Sequence, residues 1–186
     1  MIDFQFLETS LPGLQVVQRH PRGDDRGFFS RFFCADEFAE FGWDAPIAQI
    51  NHSYTKSRGS VRGMHYQRLP AAEHKLVSCL RGEVYDVAVD LRPDSATFLR
   101  WYGCVLSAAN RTSLFIRKGF AHGFQTLSDD CELIYLHSHS YTPTLEGGIN
   151  AVDPTLAIEW PLPVAQMSDR DRAHPMIDGS FSGLNV

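Results

Sequence analysis

The 186-residue sequence lacks the features that would place the chain in a membrane. No apolar run approaches the roughly 20 residues that a membrane-spanning helix needs. The opening MIDFQFLETSLPG has no basic segment followed by an apolar one, so it does not resemble a signal peptide. We therefore expect a cytoplasmic protein.

Paired cysteine motifs and an excess of positive charge are also absent. Cys34, Cys79, Cys104 and Cys131 are widely spaced with no CxxC pair, which predicts reduced thiols in the core. The net charge is −5 and the pI is about 5.9, which argues against a general nucleic-acid or membrane-surface binder. A local basic cluster for a small anionic ligand remains compatible with this balance.

Helical periodicity is nearly missing, whereas short strand-like runs recur along the whole chain. Only ADEFAEFG (35–42) reads as a helix, with Asp36 as its cap and Gly42 as its end. Arg81-Gly82 predicts a tight hairpin between two of the runs. The strand-like runs are residues 14–18, 27–33, 48–53, 60–66, 75–80, 83–91, 100–106, 112–116, 122–127 and 132–141.

Many short strands with turn signals predict an all-β protein, an antiparallel sandwich or barrel for which a jelly roll is the best fit. The length suits one domain over residues 1–186. The segment 154–186 is richer in Pro, Asp and Gly, and we expect it to form loops and a short helix packed on the barrel.

The stretch SVRGMHYQRLPAAEHKL (60–76) carries several cations among apolar runs, and one interpretation is a metal site. A His-x-His pair is missing there, because Gln67 stands where the second histidine would be. His65, Glu73 and His122 still offer a two-His, one-carboxylate set. His137 and His139 form a His-x-His later, at what reads as a fraying strand end.

A second interpretation makes His65 a general base. Arg62 and Lys75 supply positive charge nearby, and His122 lies in KGFAHGF, where small residues permit close ligand approach. Arg62 and His65 have opposite strand parity, so they face one site only if Gly63 bends or bulges the strand. Spacing alone singles out neither Tyr135 nor Asp171, and it leaves His74 as a rim residue.

Several motifs, in order along the chain, carry a family resemblance. They are DDRGFF (24–29), QINHS (49–53), RGMHYQ (62–67), KLVSCLRGEVYDVAVDLR (75–92), GFAHGF (119–124), EGGI (146–149) and SDRD (168–171). On these motifs the chain resembles the dTDP-4-dehydrorhamnose 3,5-epimerase family from about Leu11 to Pro175. The resemblance implies a cupin-type jelly roll that needs no cofactor and no metal.

The resemblance also implies roles for four catalytic positions. His65 matches the base, and Asp171 matches the carboxylate that orients it. Tyr135 matches the acid on the opposite side of the sugar, and Lys75 the cation beside the substrate carbonyl oxygen.

Further positions match substrate-binding residues, and the family pattern implies a homodimer with strand exchange. Arg26 belongs to a segment that reaches into the neighbouring subunit in this family, and Arg31 stands where a nucleotide-contacting Glu is common. The matching binding positions are Arg26, Phe28, Arg31, Gln49, Asn51, Arg62, Lys75, His122, Tyr141, Glu146 and Arg170.

The leading hypothesis is therefore an epimerase of a nucleotide-linked 4-keto-6-deoxyhexose, most simply dTDP-linked, that inverts carbons 3 and 5. The nearest alternative inverts carbon 3 alone or acts on a differently linked keto sugar. Two further alternatives are a metal-dependent cupin oxygenase using His65, Glu73 and His122, and a non-catalytic sugar-nucleotide binding module.

Overall fold

Two facing antiparallel sheets form the body of the protein in a computed structural model that describes residues 3–186. The strands are β1 (Phe4–Glu8), β2 (Leu14–Arg19), β3 (Arg22–Asp24), β4 (Gly27–Phe29), β5 (Gln49–Thr55), β6 (Val61–Gln67), β7 (Lys75–Arg81), β8 (Glu83–Asp90), β9 (Trp101–Ser107), β10 (Thr112–Ile116), β11 (Phe120–Thr126), β12 (Cys131–His137) and β13 (Glu146–Gly148). Two short helices, α1 (Ala35–Glu40) and α2 (Asp169–Arg172), complete the elements.

The strand order of the two large sheets is that of an open sandwich. One sheet runs β1-β2-β10-β7-β12-β5 and the other β13-β6-β11-β8-β9, while β3 and β4 form a separate hairpin. Neighbours in sequence frequently lie in opposite sheets, so the chain crosses between the layers repeatedly. This arrangement confirms the predicted all-β jelly roll.

Alternating apolar residues give the sandwich three buried layers, since successive side chains of a strand point to opposite faces. Val77 and Ala88 pack between the two sheets. Their neighbours face outward: Leu76 packs with Phe38 of α1 over the six-stranded sheet. Val87 packs under the C-terminal segment on the other sheet.

The segment 154–186 lies across the outer face of the five-stranded sheet. Leu156, Met167 and Leu184 are buried there in the cluster that contains Val87. Apart from α2 this segment is irregular. Its packing fixes α2 against β6, which brings a carboxylate to the open end of the sandwich.

The predicted Arg81-Gly82 hairpin is wrong. The tight turn exists, with Gly82 at a φ of 76°, but β7 and β8 belong to different sheets. The turn therefore carries the chain from one layer to the other. Turn chemistry identifies a reversal, but it does not say whether the two strands hydrogen-bond to each other.

Two smaller sequence predictions also need correction, and a third is confirmed. Helix α1 is capped by Cys34, which contributes no side-chain hydrogen bond, and Asp36 lies in the first turn. The run 27–33 is not one strand, because only Gly27–Phe29 is extended and paired. Gly42 does follow the end of α1, with a φ of 95° that favours glycine.

Two predictions about the chain as a whole concern thiols and membrane spans. All four cysteines are free thiols, as predicted, and Cys79 and Cys131 are buried. Within residues 3–186, no helix has the length and apolar character needed to cross a bilayer.

Candidate active site

A cavity of about 590 Å³ opens between the two sheets at one end of the sandwich. Its walls are strongly polar, which is unusual for the interior of a β-sandwich. The lining residues are Gln49, Ile50, Asn51, His52, Ser53, Arg62, His65, Tyr66, Gln67, Glu73, Lys75, His122, Phe124, Tyr135, His137, Tyr141, Glu146 and Arg170.

Strand alternation explains how polar groups reach one wall of this cavity. Gln49, Asn51 and Ser53 occupy alternate positions on β5 and all line the pocket. Tyr135 and His137 do the same on β12, the neighbour of β5 in the six-stranded sheet. Side chains two residues apart on a strand share a face, so polar residues at alternate positions of β5 and β12 make this wall polar.

On the opposite wall, an irregularity in β6 brings Arg62 and His65 to the same cavity. His65 pairs with His122 and Arg62 pairs with Phe124, so β6 has one extra residue between these pairs. A Cβ on Gly63 would lie 2.5 Å from the Cα of Gly123, so only glycine permits this close approach of the strands. The bulge that residue parity required is therefore present.

His65 forms a hydrogen-bonded pair with Asp171. Its Nε2 lies 2.8 Å from Oδ1 of Asp171, and the Gly63 N–H donates to the other carboxylate oxygen at 3.3 Å. Ser168 caps α2 by accepting from the Asp171 N–H at 3.0 Å. An imidazole that donates through Nε2 is free to accept a proton at Nδ1.

The carboxylate of Asp171 is only 3% exposed, yet it stays ionised. Burial acts to raise its pKa, but the hydrogen bond and charge of His65, the Gly63 N–H and the Arg170 cation outweigh burial and lower the pKa below its usual value. A stable anion here holds the His65 ring in one orientation.

Lys75 lies on the wall facing His65 and is held by Glu73. Its Nζ is 3.2 Å from the Glu73 carboxylate, whose second oxygen is 2.9 Å from Nδ1 of His137. Burial acts to raise the pKa of Glu73, but Lys75 and His137 together lower it. Lys75 thus presents a fixed cation to the cavity.

His122 and Tyr135 form the floor of the cavity. Nε2 of His122 lies 3.0 Å from each carboxylate oxygen of Asp86, and burial raises the pKa of this fully enclosed carboxyl group. The Tyr135 hydroxyl is 3.0 Å from Oγ of Ser53. Burial raises the pKa of Tyr135 far above its usual value, so the phenol is a protonated donor.

At the mouth, five predicted binding residues are joined in one chain of contacts. Tyr141 donates to Glu146 at 2.8 Å, and Arg170 bonds the same carboxylate at 3.1 Å. Gln49 accepts from the Tyr141 backbone N–H at 2.9 Å and donates to Asn51 at 2.9 Å. These contacts hold the exposed Tyr141 ring close to the Arg170 guanidinium and the Gln49 amide.

Three predicted binding residues lie away from this cavity. Arg26 and Phe28 are on the exposed β3–β4 hairpin, where Arg26 pairs with Asp24 at 2.6 Å. Arg31 forms salt bridges with Asp3 at 3.0 Å and Glu37 at 3.3 Å. The remaining predicted residues line the cavity, except Asp171, which stands behind His65.

The sequence did not reveal the partners of the central residues. The sequence does not single out Ser53 or Asp86, and it indicates Glu73 and His137 only as candidate metal ligands. Their signal was period-two placement: Ser53 follows Gln49 and Asn51 on β5, and His137 follows Tyr135 on β12. Asp86 carries no such signal in the sequence, because an aspartate within an apolar strand is informative only once its partner is known.

Two sequence interpretations do not fit this geometry. His74 is not a rim residue, because it is 3% exposed and bonds Asp44 at 2.9 Å. His65, Glu73 and His122 do not form one ligand set, since each holds a different partner. His139 contacts only the backbone oxygen of Ser140, among the contacts described, and is not in the cavity lining.

The fold, together with the family model and the solved structures that the chain matches, defines the class of protein: it is a cupin-type isomerase. More particularly, the chain belongs to the dTDP-4-dehydrorhamnose 3,5-epimerase family, whose model matches residues 8–179.

Individual relatives cover almost the whole chain. The dTDP-4-dehydrorhamnose 3,5-epimerase of Salmonella typhimurium is 41% identical over 92% of this chain and 94% of its own length. A dTDP-4-dehydrorhamnose 3-epimerase of Streptomyces niveus is 39% identical over 87% of this chain and 78% of its own. The Legionella pneumophila dTDP-6-deoxy-D-glucose-3,5-epimerase, solved with dTDP-4-keto-L-rhamnose, is 39% identical with a TM-score of 0.90, covering 98% of this chain and 99% of that one.

Proposed function

We propose that this protein converts dTDP-4-dehydro-6-deoxy-D-glucose to dTDP-4-dehydro-L-rhamnose by inverting carbons 3 and 5. The observation that carries the proposal is that His65, on one sheet and bonded to Asp171 of α2, faces Tyr135 and Lys75 on the other sheet across a single cavity. The Legionella pneumophila relative binds a sugar nucleotide of this kind.

The first step removes the proton from a carbon next to the ketone. Nδ1 of His65 accepts this proton, and Asp171 holds the ring and stabilises the imidazolium that forms. The electron pair moves onto the ketone oxygen, where the Lys75 ammonium stabilises the enolate. The cation remains in place because Glu73 fixes it at 3.2 Å.

The second step returns a proton to the opposite face of the same carbon. The Tyr135 hydroxyl donates it from the six-stranded sheet, opposite His65, and the electron pair returns from oxygen to carbon. Because burial keeps the phenol protonated, it is ready to donate. Before the groups act again, the His65 imidazolium releases its extra proton to solvent and the Tyr135 phenolate takes up a proton from solvent. Ser53 at 3.0 Å is the hydroxyl next to the phenolate.

The mouth of the cavity suits the nucleotide half of the substrate. Arg62 and Arg170 face the cavity and offer guanidinium groups to a diphosphate. Tyr141, 49% exposed, offers a ring on which a base can stack. Gln49 and Asn51 offer amides for the base edge. A substrate of this kind agrees with the cytoplasmic location expected from the sequence.

We further propose that a second copy of the chain completes the site. The β3–β4 hairpin stands out from the body, with Phe28 62% and Phe29 70% exposed. The Arg26 side chain is 90% exposed. A hairpin that carries two exposed aromatic rings and an exposed arginine side chain suits insertion beside a partner's nucleotide pocket. Its test is the molecular mass in solution of the wild type and of Phe28→Ser/Phe29→Ser, which is expected to dissociate.

The 3-epimerase alternative is favoured by the 39% identity to the Streptomyces niveus enzyme. Proton NMR of dTDP-4-keto-6-deoxyglucose with the protein in heavy water separates the two. Loss of the signals at both carbons 3 and 5 is expected. Loss at carbon 3 alone would establish the narrower activity, and no exchange at either carbon would contradict the proposed function with this nucleotide.

A further inference from the structure

A three-ligand cluster lies behind the proposed base. One ring nitrogen of His65, one carboxylate oxygen of Asp171 and one ring nitrogen of His174 all lie within 4.8 Å of one another. The His65–Asp171 distance is 2.8 Å and the His174–Asp171 distance is 3.8 Å. Within residues 3–186, no other three His, Cys, Asp or Glu side chains approach one another so closely.

His174 has no role in the proposed reaction, yet it is held firmly in place. Its ring packs against Gly148, where an added Cβ would collide with it. The ring centroid is 5.5 Å from that of His65. Its Nε2 is a buried atom without a hydrogen-bond partner among the described residues, and such orphaned polar atoms call for an explanation.

We infer that His65, Asp171 and His174 form an inhibitory site for a divalent transition metal, Zn²⁺ in particular. Two imidazole nitrogens and one carboxylate oxygen are a common donor set for zinc, with a fourth position left open. The separations within the cluster are close to those between ligands at about 2.0–2.2 Å from one shared zinc ion. Only small side-chain shifts are needed to close the site.

Zinc bound at this position prevents His65 from acting as the base. This consequence rests on the proposed function. In the metal-free protein, Nε2 of His65 carries the ring proton and Nδ1 accepts the proton from the sugar. Zinc bonds through the lone pair of Nε2, so the ring proton moves to Nδ1. The nitrogen that faced the substrate is then a donor, and proton abstraction stops while the nucleotide contacts remain.

Arg170 limits the affinity of the site without closing it. Its guanidinium lies 3.3 Å from Nε2 of His65 and 3.8 Å from Asp171, so it repels a cation there. The Arg170 side chain also forms a salt bridge with Glu146 at 3.1 Å. Because it is 55% exposed, it has room to move toward solvent. His65, Arg170 and Asp171 also line a second cavity of about 630 Å³, from which the site is accessible.

Calorimetric titration of the chelator-treated protein with ZnCl₂ tests the site directly. The wild type and a His20→Ala control, which removes an exposed histidine elsewhere, are expected to bind one zinc per chain at the site. His174→Ala is expected to weaken this binding at least about tenfold, because even loss of an outer partner of a metal ligand costs 10–100-fold. His174→Asn, which keeps a polar side chain, is expected to show the same loss. Equal zinc affinity in the wild type and His174→Ala, or no such binding in the wild type, would overturn the proposal.

Measuring deuterium exchange with and without zinc tests the inhibitory metal site separately from the proposed function. Zinc is expected to lower kcat for deuterium exchange in the wild type with KM nearly unchanged, EDTA is expected to restore it, and His174→Ala is expected to resist. Zinc binding that leaves exchange unaffected would overturn the inhibitory role. Zinc-free wild type with no exchange would contradict the proposed function, while the titration would still decide whether the metal site exists.

Discussion

Replacing Asp171 by Asn tests the hydrogen-bonded pair that supports the base. The carboxylate accepts from His65 at 2.8 Å while it is 3% exposed, so the bond is charge-assisted and shielded from water. Such bonds contribute about 1.5–3 kcal/mol. If that contribution is expressed in the transition state, kcat should fall roughly 10- to 160-fold, at 1.36 kcal/mol per factor of ten.

A change in the tautomer of His65 should lower kcat further. An amide N–H in place of the carboxylate would donate to Nε2 of His65 and drive the ring proton to Nδ1, the wrong nitrogen for the reaction. In a serine-protease triad the equivalent change costs roughly 10⁴ in kcat. We therefore expect kcat to fall at least about 10-fold. A fall of more than about 160-fold would exceed the contribution of the hydrogen bond alone and would point to the change of tautomer.

The assay is the initial rate of deuterium incorporation with dTDP-4-keto-6-deoxyglucose, fitted for kcat and KM. Asp169→Asn is the matched control, because it lies on the same helix with its side chain 98% exposed and paired only to Arg172 among the described ion pairs. KM should change little, since Asp171 is not in the lining of the substrate cavity. A kcat for Asp171→Asn within about twofold of the control would refute the reasoning, given the loss expected for this bond.

Three further outcomes follow from the same structure. Tyr135→Phe should lower product formation by about 10²–10⁴ while exchange at carbon 3 persists in NMR; unchanged product formation would remove Tyr135 as the donor. Phe38→Ala, at a fully buried position, should lower the free energy of unfolding by about 3–5 kcal/mol in urea, and a loss below about 1 kcal/mol would contradict its packing role. Burial lowers the pKa of His74 from its usual 6.5, so the folded state disfavours its protonated form and stability should fall as the pH drops below that value. A His74→Gln variant should show a smaller fall, and an identical pH profile would contradict this assignment.

Local patterns in the sequence reveal the strands but not their neighbours. The run 75–80 predicts a strand, and the structure places its adjacent residues Leu76 and Val77 in separate layers. The turn at Gly82 is equally clear. Whether β7 and β8 pair is decided by the packing of the whole sandwich, which a turn dipeptide does not encode.

The same limit applies to the site. Parity along β6 states the condition under which Arg62 and His65 face one site, a bend or bulge at Gly63, because that condition depends on one strand only. The contacts that join Asp171 to His65, or Glu73 to His137, span 106 and 64 positions of the chain. Motif resemblance selected Asp171, whereas physical reasoning on the sequence alone could not, since its partner comes from another element.

The most direct test of the central claim is the deuterium exchange rate at carbon 3 in His65→Ala, measured beside calorimetric binding of dTDP. If His65 is the base, exchange falls by about 10²–10⁴ while dTDP affinity stays within a few-fold of the wild type, because the nucleotide contacts lie at the cavity mouth. Near-normal exchange in the folded variant would contradict the account and move the base to another residue of the cavity.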